Sequence, residues 1–141
     1  MKRQDKYPET TTFHYYNANP KNRITGDCVF RAFSVAMEQD YCTTVMEMAE
    51  MMCKTGYALN DAKGEEKYLI SKGWVKHSQP RKADNTKYTG KEFCELLSKQ
   101  GKHSVIIAHI GSHHMVCIKD YKVWDIWDST DGRIGNYWTK A

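Results

Sequence analysis

In "NRITGDCVFRAF", residues 22 to 33, Cys28 stands directly after a Gly-Asp turn and directly before an apolar run. A thiol is a strong nucleophile only as the thiolate, and with an ordinary pKa near ~8.5 only a few per cent ionises at neutral pH. A helix start shifts that balance, because the unpaired N–H groups of the first turn favour negative charge and a nearby imidazolium lowers the thiol further. "GSHHMVCIKD" supplies the imidazoles. His114 alternates in phase with Val116 and Ile118 and is the better base, with His113 as its flanking alternative. An imidazole in this role needs an acceptor that fixes its tautomer. A three-residue turn at 120 to 122 puts Trp124, Ile126 and Asp128 on the His114 face, so Asp128 is the expected acceptor and Asp125 sits further along, opposite about Val116 or Cys117. Asp27 would oppose a thiolate if aimed at the sulfur, and is expected as a turn or cap residue facing away.

The elements that must position these residues follow from periodicity. From 28 to about 38 the polar set Arg31, Ser34 and Glu38 falls on one stripe and Val29, Phe33, Ala36 and Met37 on the other, which predicts a buried helix beginning at Cys28. A second helix is expected from about 44 to 54, with Thr44 and Glu47 as a capping box, Val45, Met48, Ala49 and Met52 on one face, and Gly56 past its end. A third spans about 61 to 72, with Ala62, Leu69 and Ile70 inward and Gly73 as the stop. Thr89 and Glu92 cap a fourth, which Gly101 closes. Strands are then expected in "SVIIAHI", "HMVCIKD", "KVWDIW" and "RIGNYW", with a short one in "FHYYN". Helices first and an antiparallel meander last predict an α+β domain, helices packed on a C-terminal twisted antiparallel sheet. Residues 1 to 12 read as a mobile arm and 13 to 141 as a single domain.

Composition narrows the function classes. No apolar stretch approaches the ~20 residues of a membrane helix, and "MKRQDKYPET" carries no apolar segment after its charges, so neither a membrane anchor nor a secretory signal is expected. The five cysteines form no CxxC pair, which fits reduced thiols in a cytoplasmic setting. Cys42 is the one rival to Cys28 at a helix entrance, while Cys53, Cys94 and Cys117 read as packing residues. Zinc held by His109, His113, His114 and Cys117 is disfavoured because Gly111 and Ser112 break any helical histidine spacing. The net charge of +4 comes from scattered lysines and arginines, which is ordinary solvation and makes a nucleic-acid partner the weaker reading.

A cysteine opening a buried helix, followed by a histidine and then an Asp on successive strands of a C-terminal sheet, resembles the papain-like cysteine peptidase superfamily. "TGDCVFRAF", Gly73 with Trp74, "HMVCIKDYKVWDIWDST" and "GNYW" are similar, more narrowly, to small papain-like proteins of bacteria and their phages, over roughly residues 20 to 138. The resemblance implies a compact papain-like fold and a cysteine protease without cofactor or metal. It implies Cys28 as nucleophile, His114 as proton carrier, Asp128 as the group orienting it, and Asn22, six residues before Cys28, as the amide that shares the oxyanion with the Cys28 N–H. The family has Gln where Asn22 stands, and two further departures stand beside that one. The Cys-to-His spacing is shorter than the ~130 residues of papain, and Trp127 precedes Asp128, where the family has an aromatic soon after the orienting residue.

The partner implied is a protein or peptide substrate, cleaved at a peptide or isopeptide bond, with deamidation and transglutamination as related acyl transfers. The alternative is a catalytically idle papain-like fold serving as a binding protein, phage-encoded and directed at a host factor in the bacterial cytosol.

Overall fold

Strand β4, His114–Lys119, is the axis of the molecule: the computed structural model, which describes residues 1–141, places it inside a six-stranded sheet of order β1-β5-β4-β3-β6-β2. The other strands are β1 (Phe13–Tyr15), β2 (Trp74–His77), β3 (Val105–Ile110), β5 (Lys122–Asp125) and β6 (Ile134–Lys140). The helices are α1 (Arg3–Lys6), α2 (Cys28–Met37), α3 (Tyr41–Thr55), α4 (Ala62–Ser71) and α5 (Gly90–Gln100). The α+β class is as expected, but the sheet is mixed. β1 runs parallel to β5, with Phe13 paired to Val123, and all other pairings are antiparallel. The parallel pair arises because β1 lies far from β5 in sequence and reaches the edge by a long connection instead of a hairpin.

Both faces of the sheet are covered, which explains the unbroken apolar run Met115 to Ile118. Met115 and Cys117 enter one core with Phe33 of α2, Met48 of α3, and Tyr68 and Leu69 of α4. Val116 and Ile118 enter the other with Phe93 and Leu97 of α5, Ile106 and Val123. Each large side chain buried here contributes about 1.5–3 kcal/mol of transfer free energy. α2 therefore lies across β4, and its first residue is carried to the His114 end of that strand.

Several local expectations are corrected. Arg31 and Ser34 belong to the buried side of α2, at 6 % and 4 % exposure, because each has buried polar partners. α3 starts at Tyr41, capped by Asp40, which accepts from the Thr43 N–H at 3.1 Å. Thr44 is instead buried and accepts from Ser34 Oγ, while Glu47 accepts from the Tyr68 hydroxyl, so that pair does no capping. The Thr89 and Glu92 box on α5 is present. Ile70 is exposed, and α4 turns Gly64, Glu65, Tyr68 and Leu69 inward. β2, unread in the sequence, pairs with β6. Within residues 1–12, Arg3 Nε donates to the Ile126 carbonyl at 2.7 Å and the Thr12 carbonyl accepts from the Val123 N–H.

Candidate active site

Cys28 is the first residue of α2, after an Asp27 whose side chain makes no capping bond, so the first-turn amides are left without a capping acceptor. Its sulfur is half-buried beside the His114 ring and the Met115 N–H. Burial alone would push the thiol up. The imidazole, the Met115 amide and the more distant Arg31 charge outweigh it, and the Cys28 thiol is held below its ordinary range.

The partner of His114 is Asp125, not Asp128. His114 Nε2 donates to Asp125 Oδ2 at 2.6 Å, which leaves Nδ1 as the nitrogen available to the sulfur. Burial works to lower His114, but the Asp125 carboxylate and the Cys28 sulfur raise it to about 9. Asp125 is 1 % exposed and saturated with donors. Oδ2 also accepts from Ser129 Oγ at 2.7 Å, and Oδ1 accepts from Arg31 Nη1 at 3.0 Å and the Ile126 N–H at 2.8 Å. These four donors fill the carboxylate's acceptor sites, and against the cost of burial they hold it below the usual carboxylate range.

The turn explains the exchange of aspartates. Lys119 pairs directly with Lys122, so the hairpin loop is the two residues Asp120 and Tyr121, with φ of 52° and 64°. Such a loop has both residues left-handed, and it is one residue shorter than the loop assumed from the sequence. A shift of one residue inverts which side chains share a face. Asp125 thereby falls in phase with His114, and Asp128 falls out of it. Asp128 instead bonds its own turn, accepting from the Thr130 N–H at 3.0 Å and the Thr130 hydroxyl. β5 pairs with β4 only over 117 to 119, so the chain parts from β4 next to His114 and leaves room for the α2 terminus.

Asn22 is also not at the site. It is exposed, at φ 54°, and its side-chain oxygen faces Asn17 Nδ2 at 3.4 Å on the side of the molecule carrying Lys2 and Tyr15. Asn22 is not among the residues lining the cleft at Cys28, so the spacing of six residues does not place its amide there. Asp27 does face other partners than Cys28: its carboxylate accepts from Arg31 Nε at 2.8 Å, Asn19 Nδ2 at 3.0 Å and the Tyr41 hydroxyl at 2.9 Å. Arg31 thus joins Asp27 and Asp125 in one buried network, a role its position in the sequence concealed. The i,i+4 spacing of Asp27 and Arg31 was the available signal.

The remaining thiols and imidazoles divide by burial. Cys94 and Cys117 are fully buried, and burial pushes both up, Cys94 to about 12, so they stay protonated. Cys42 and Cys53 are exposed, the latter contrary to its expected packing role. His113 and His109 line the same cleft as Cys28, and burial with the Lys76 charge keeps His109 below its ordinary value. No group of three or more His, Cys, Asp or Glu side chains is placed to hold a metal ion. Trp127, 39 % exposed, lays its ring 5.2 Å from that of His114. The cleft at the sulfur encloses about 400 Å³.

No helix is long and apolar enough to cross a membrane. Compared with known proteins, the chain matches no family model, no curated protein and no solved structure.

Proposed function

We propose that this chain is a thiol enzyme of the papain-like kind, a cysteine peptidase acting on peptide or isopeptide bonds of a protein or peptide substrate in a reducing, cytoplasmic setting. The observation that carries the reading is the sequence of contacts from Cys28, at a helix start, through His114 to a buried and saturated Asp125. With Asp125 as the orienting group, Trp127 follows it by two residues, which removes one of the departures from the family pattern.

In this mechanism the Cys28 thiolate attacks the acyl carbon, and the first-turn N–H of Cys28 itself donates to the oxyanion. The His114 imidazolium gives its proton to the leaving amine as the carbon–nitrogen bond breaks. The neutral ring then takes a proton from water, whose oxygen attacks the thioester; the carbon–sulfur bond breaks, releasing the acid and restoring the Cys28 thiolate beside the His114 imidazolium. Asp125 keeps Nε2 bonded throughout, so that Nδ1 carries the proton between sulfur, amine and water. A side-chain carboxamide in place of the peptide bond would make the same steps a deamidation.

One observation favours the second reading, an idle site on a binding protein: Asn22, the expected second oxyanion donor, lies elsewhere. Loss of one such donor costs about 2.7–4 kcal/mol of transition-state stabilisation, which slows a thiol enzyme without disarming its sulfur. The test uses a Cys42→Ser/Cys53→Ser background, in which Cys28 is the one thiol not fully buried. Iodoacetamide should modify Cys28 and His114→Ala should suppress the modification; incubation with a peptide library should give new termini or released ammonia. An unreactive Cys28 overturns the thiol-enzyme reading, and a reactive Cys28 with no cleavage or ammonia favours the binding protein.

A further inference from the structure

The cleft at the sulfur is lined, besides Cys28, His109 and Met115, by Asn60 just before α4 and by Ala62 and Glu65 of its first turn. Glu65 is the unexplained group. It is 7 % exposed, yet no donor of the protein bonds its carboxyl, and the nearest charge acting on it is the like charge of Asp61. Every other buried carboxylate here has donors: Asp27 has three and Asp125 has four. The Glu65 oxygens are not sealed, since the one fully buried polar side-chain atom without a partner is Trp74 Nε1; they open on the cleft, where a ligand carrying donors would supply the bond that the protein does not.

The charges around the cleft specify that ligand. The Cys28 thiolate and His114 imidazolium offset each other, Asp125 and Asp27 share Arg31, and His109 is kept uncharged by burial. Glu65 is left as the uncompensated acid on the cleft wall, with Val29, Ala62 and Met115 providing apolar surface beside it. Apolar walls ending in a carboxyl suit a long side chain with a cationic tip, whose methylenes lie along the walls while its head meets the acid. Burial and Asp61 raise the Glu65 carboxyl to about 7, as expected for an acid awaiting a counter-charge.

We infer that Glu65 is the specificity-determining residue of the cleft and that the substrate presents a lysine or arginine side chain to it, next to the acyl group attacked by Cys28. The inference rests on the thiol-enzyme reading for its position beside the reacting carbon, but the cation site itself does not need turnover.

Two chloromethyl ketone peptides, identical except for lysine or norleucine as the residue carrying the ketone, test it in the Cys42→Ser/Cys53→Ser background. The lysine reagent should inactivate Cys28 about tenfold to a hundredfold faster than the norleucine one, the gain of one charge-assisted hydrogen bond. Glu65→Gln, close to isosteric with the acid, should bring the ratio near one. A ratio near one in the unmutated background, or one that survives Glu65→Gln, overturns the inference. If iodoacetamide and both ketones leave Cys28 untouched, the thiol-enzyme reading fails by itself. The cation site is then read by titrating Nα-acetyl-lysine amide into Cys28→Ala: saturable binding lost in Glu65→Gln supports it, and absence of binding overturns it.

Discussion

His114 Nε2 and Asp125 Oδ2 stand 2.6 Å apart, with the Trp127 ring 5.2 Å from that of His114, while Asp128, three residues on, is spent on the backbone and hydroxyl of Thr130. Replacing the two aspartates separates these roles. Asp125→Asn should slow Cys28 alkylation near neutral pH by roughly a hundredfold, since the ring loses both its counter-charge and its fixed tautomer. Asp128→Asn keeps an acceptor for Thr130 and should change the rate less than about twofold. Equal losses in the two variants would contradict the assignment of Asp125.

Alkylation as a function of pH reports the sulfur and the ring together. Cys28 is lowered from its ordinary value and His114 is raised to about 9, so the thiolate–imidazolium pair spans the interval between them. Cys28 should therefore react with iodoacetamide well below the range of a free thiol, and His114→Ala should return it to that range. Acyl transfer should fall as pH rises through about 9, where the ring no longer holds the proton for the leaving group. The sign for stability follows from the raised His114: its ion pair with Asp125 contributes in full below about 6.5 and is lost as pH climbs to about 9. The stability gap between wild type and His114→Gln, measured by urea unfolding, should narrow over that interval.

Arg31 bonds Asp27 through Nε and Asp125 through Nη1, tying the start of α2 to the end of β5. Arg31→Ala strands two buried carboxylates without their shared cation, a change that costs about 3–5 kcal/mol. Urea unfolding should show that loss, and a double Arg31→Ala/Asp27→Asn variant should recover part of it. A loss below about 1 kcal/mol for the single variant would remove Arg31 from the support of the site.

Gly64 lies inside α4, where alanine would ordinarily gain about 1 kcal/mol in helix propensity. A Cβ there would stand 2.5 Å from the backbone oxygen of Ala58, so the chain must move. Overpacking of this kind costs about 1–3 kcal/mol and wins over the propensity gain. Gly64→Ala should lower the thermal midpoint, and, because Glu65 is the next residue, it should also blunt the preference for a lysine ketone.

Much of this architecture is legible in local pattern. The helix opening at Cys28, the Thr89 and Glu92 cap, and the four C-terminal apolar runs each rest on contacts within a few residues, so their signals survive in sequence. The Thr44 and Glu47 pair misleads for the opposite reason. Its spacing is that of a capping box, but Thr44 is drawn into a buried bond with Ser34 and Glu47 into one with Tyr68, partners on other helices. Arg31 is misplaced likewise, since a polar residue reads as outward until its buried carboxylates are known.

The candidate site divides along the same line. Residue type and order alone single out Cys28 and His114, because a thiol at a helix start and an imidazole at a strand mouth are local facts. Which acid completes them is decided by the length of one turn, and a single residue of loop inverts the parity of the whole strand. Asn22 fails because spacing along a chain of turns carries no distance. Glu65 is visible only when α4 is packed beside the cleft, since an acid in a helix is ordinary until folding buries most of it and leaves its carboxyl on the cleft without a donor from the protein.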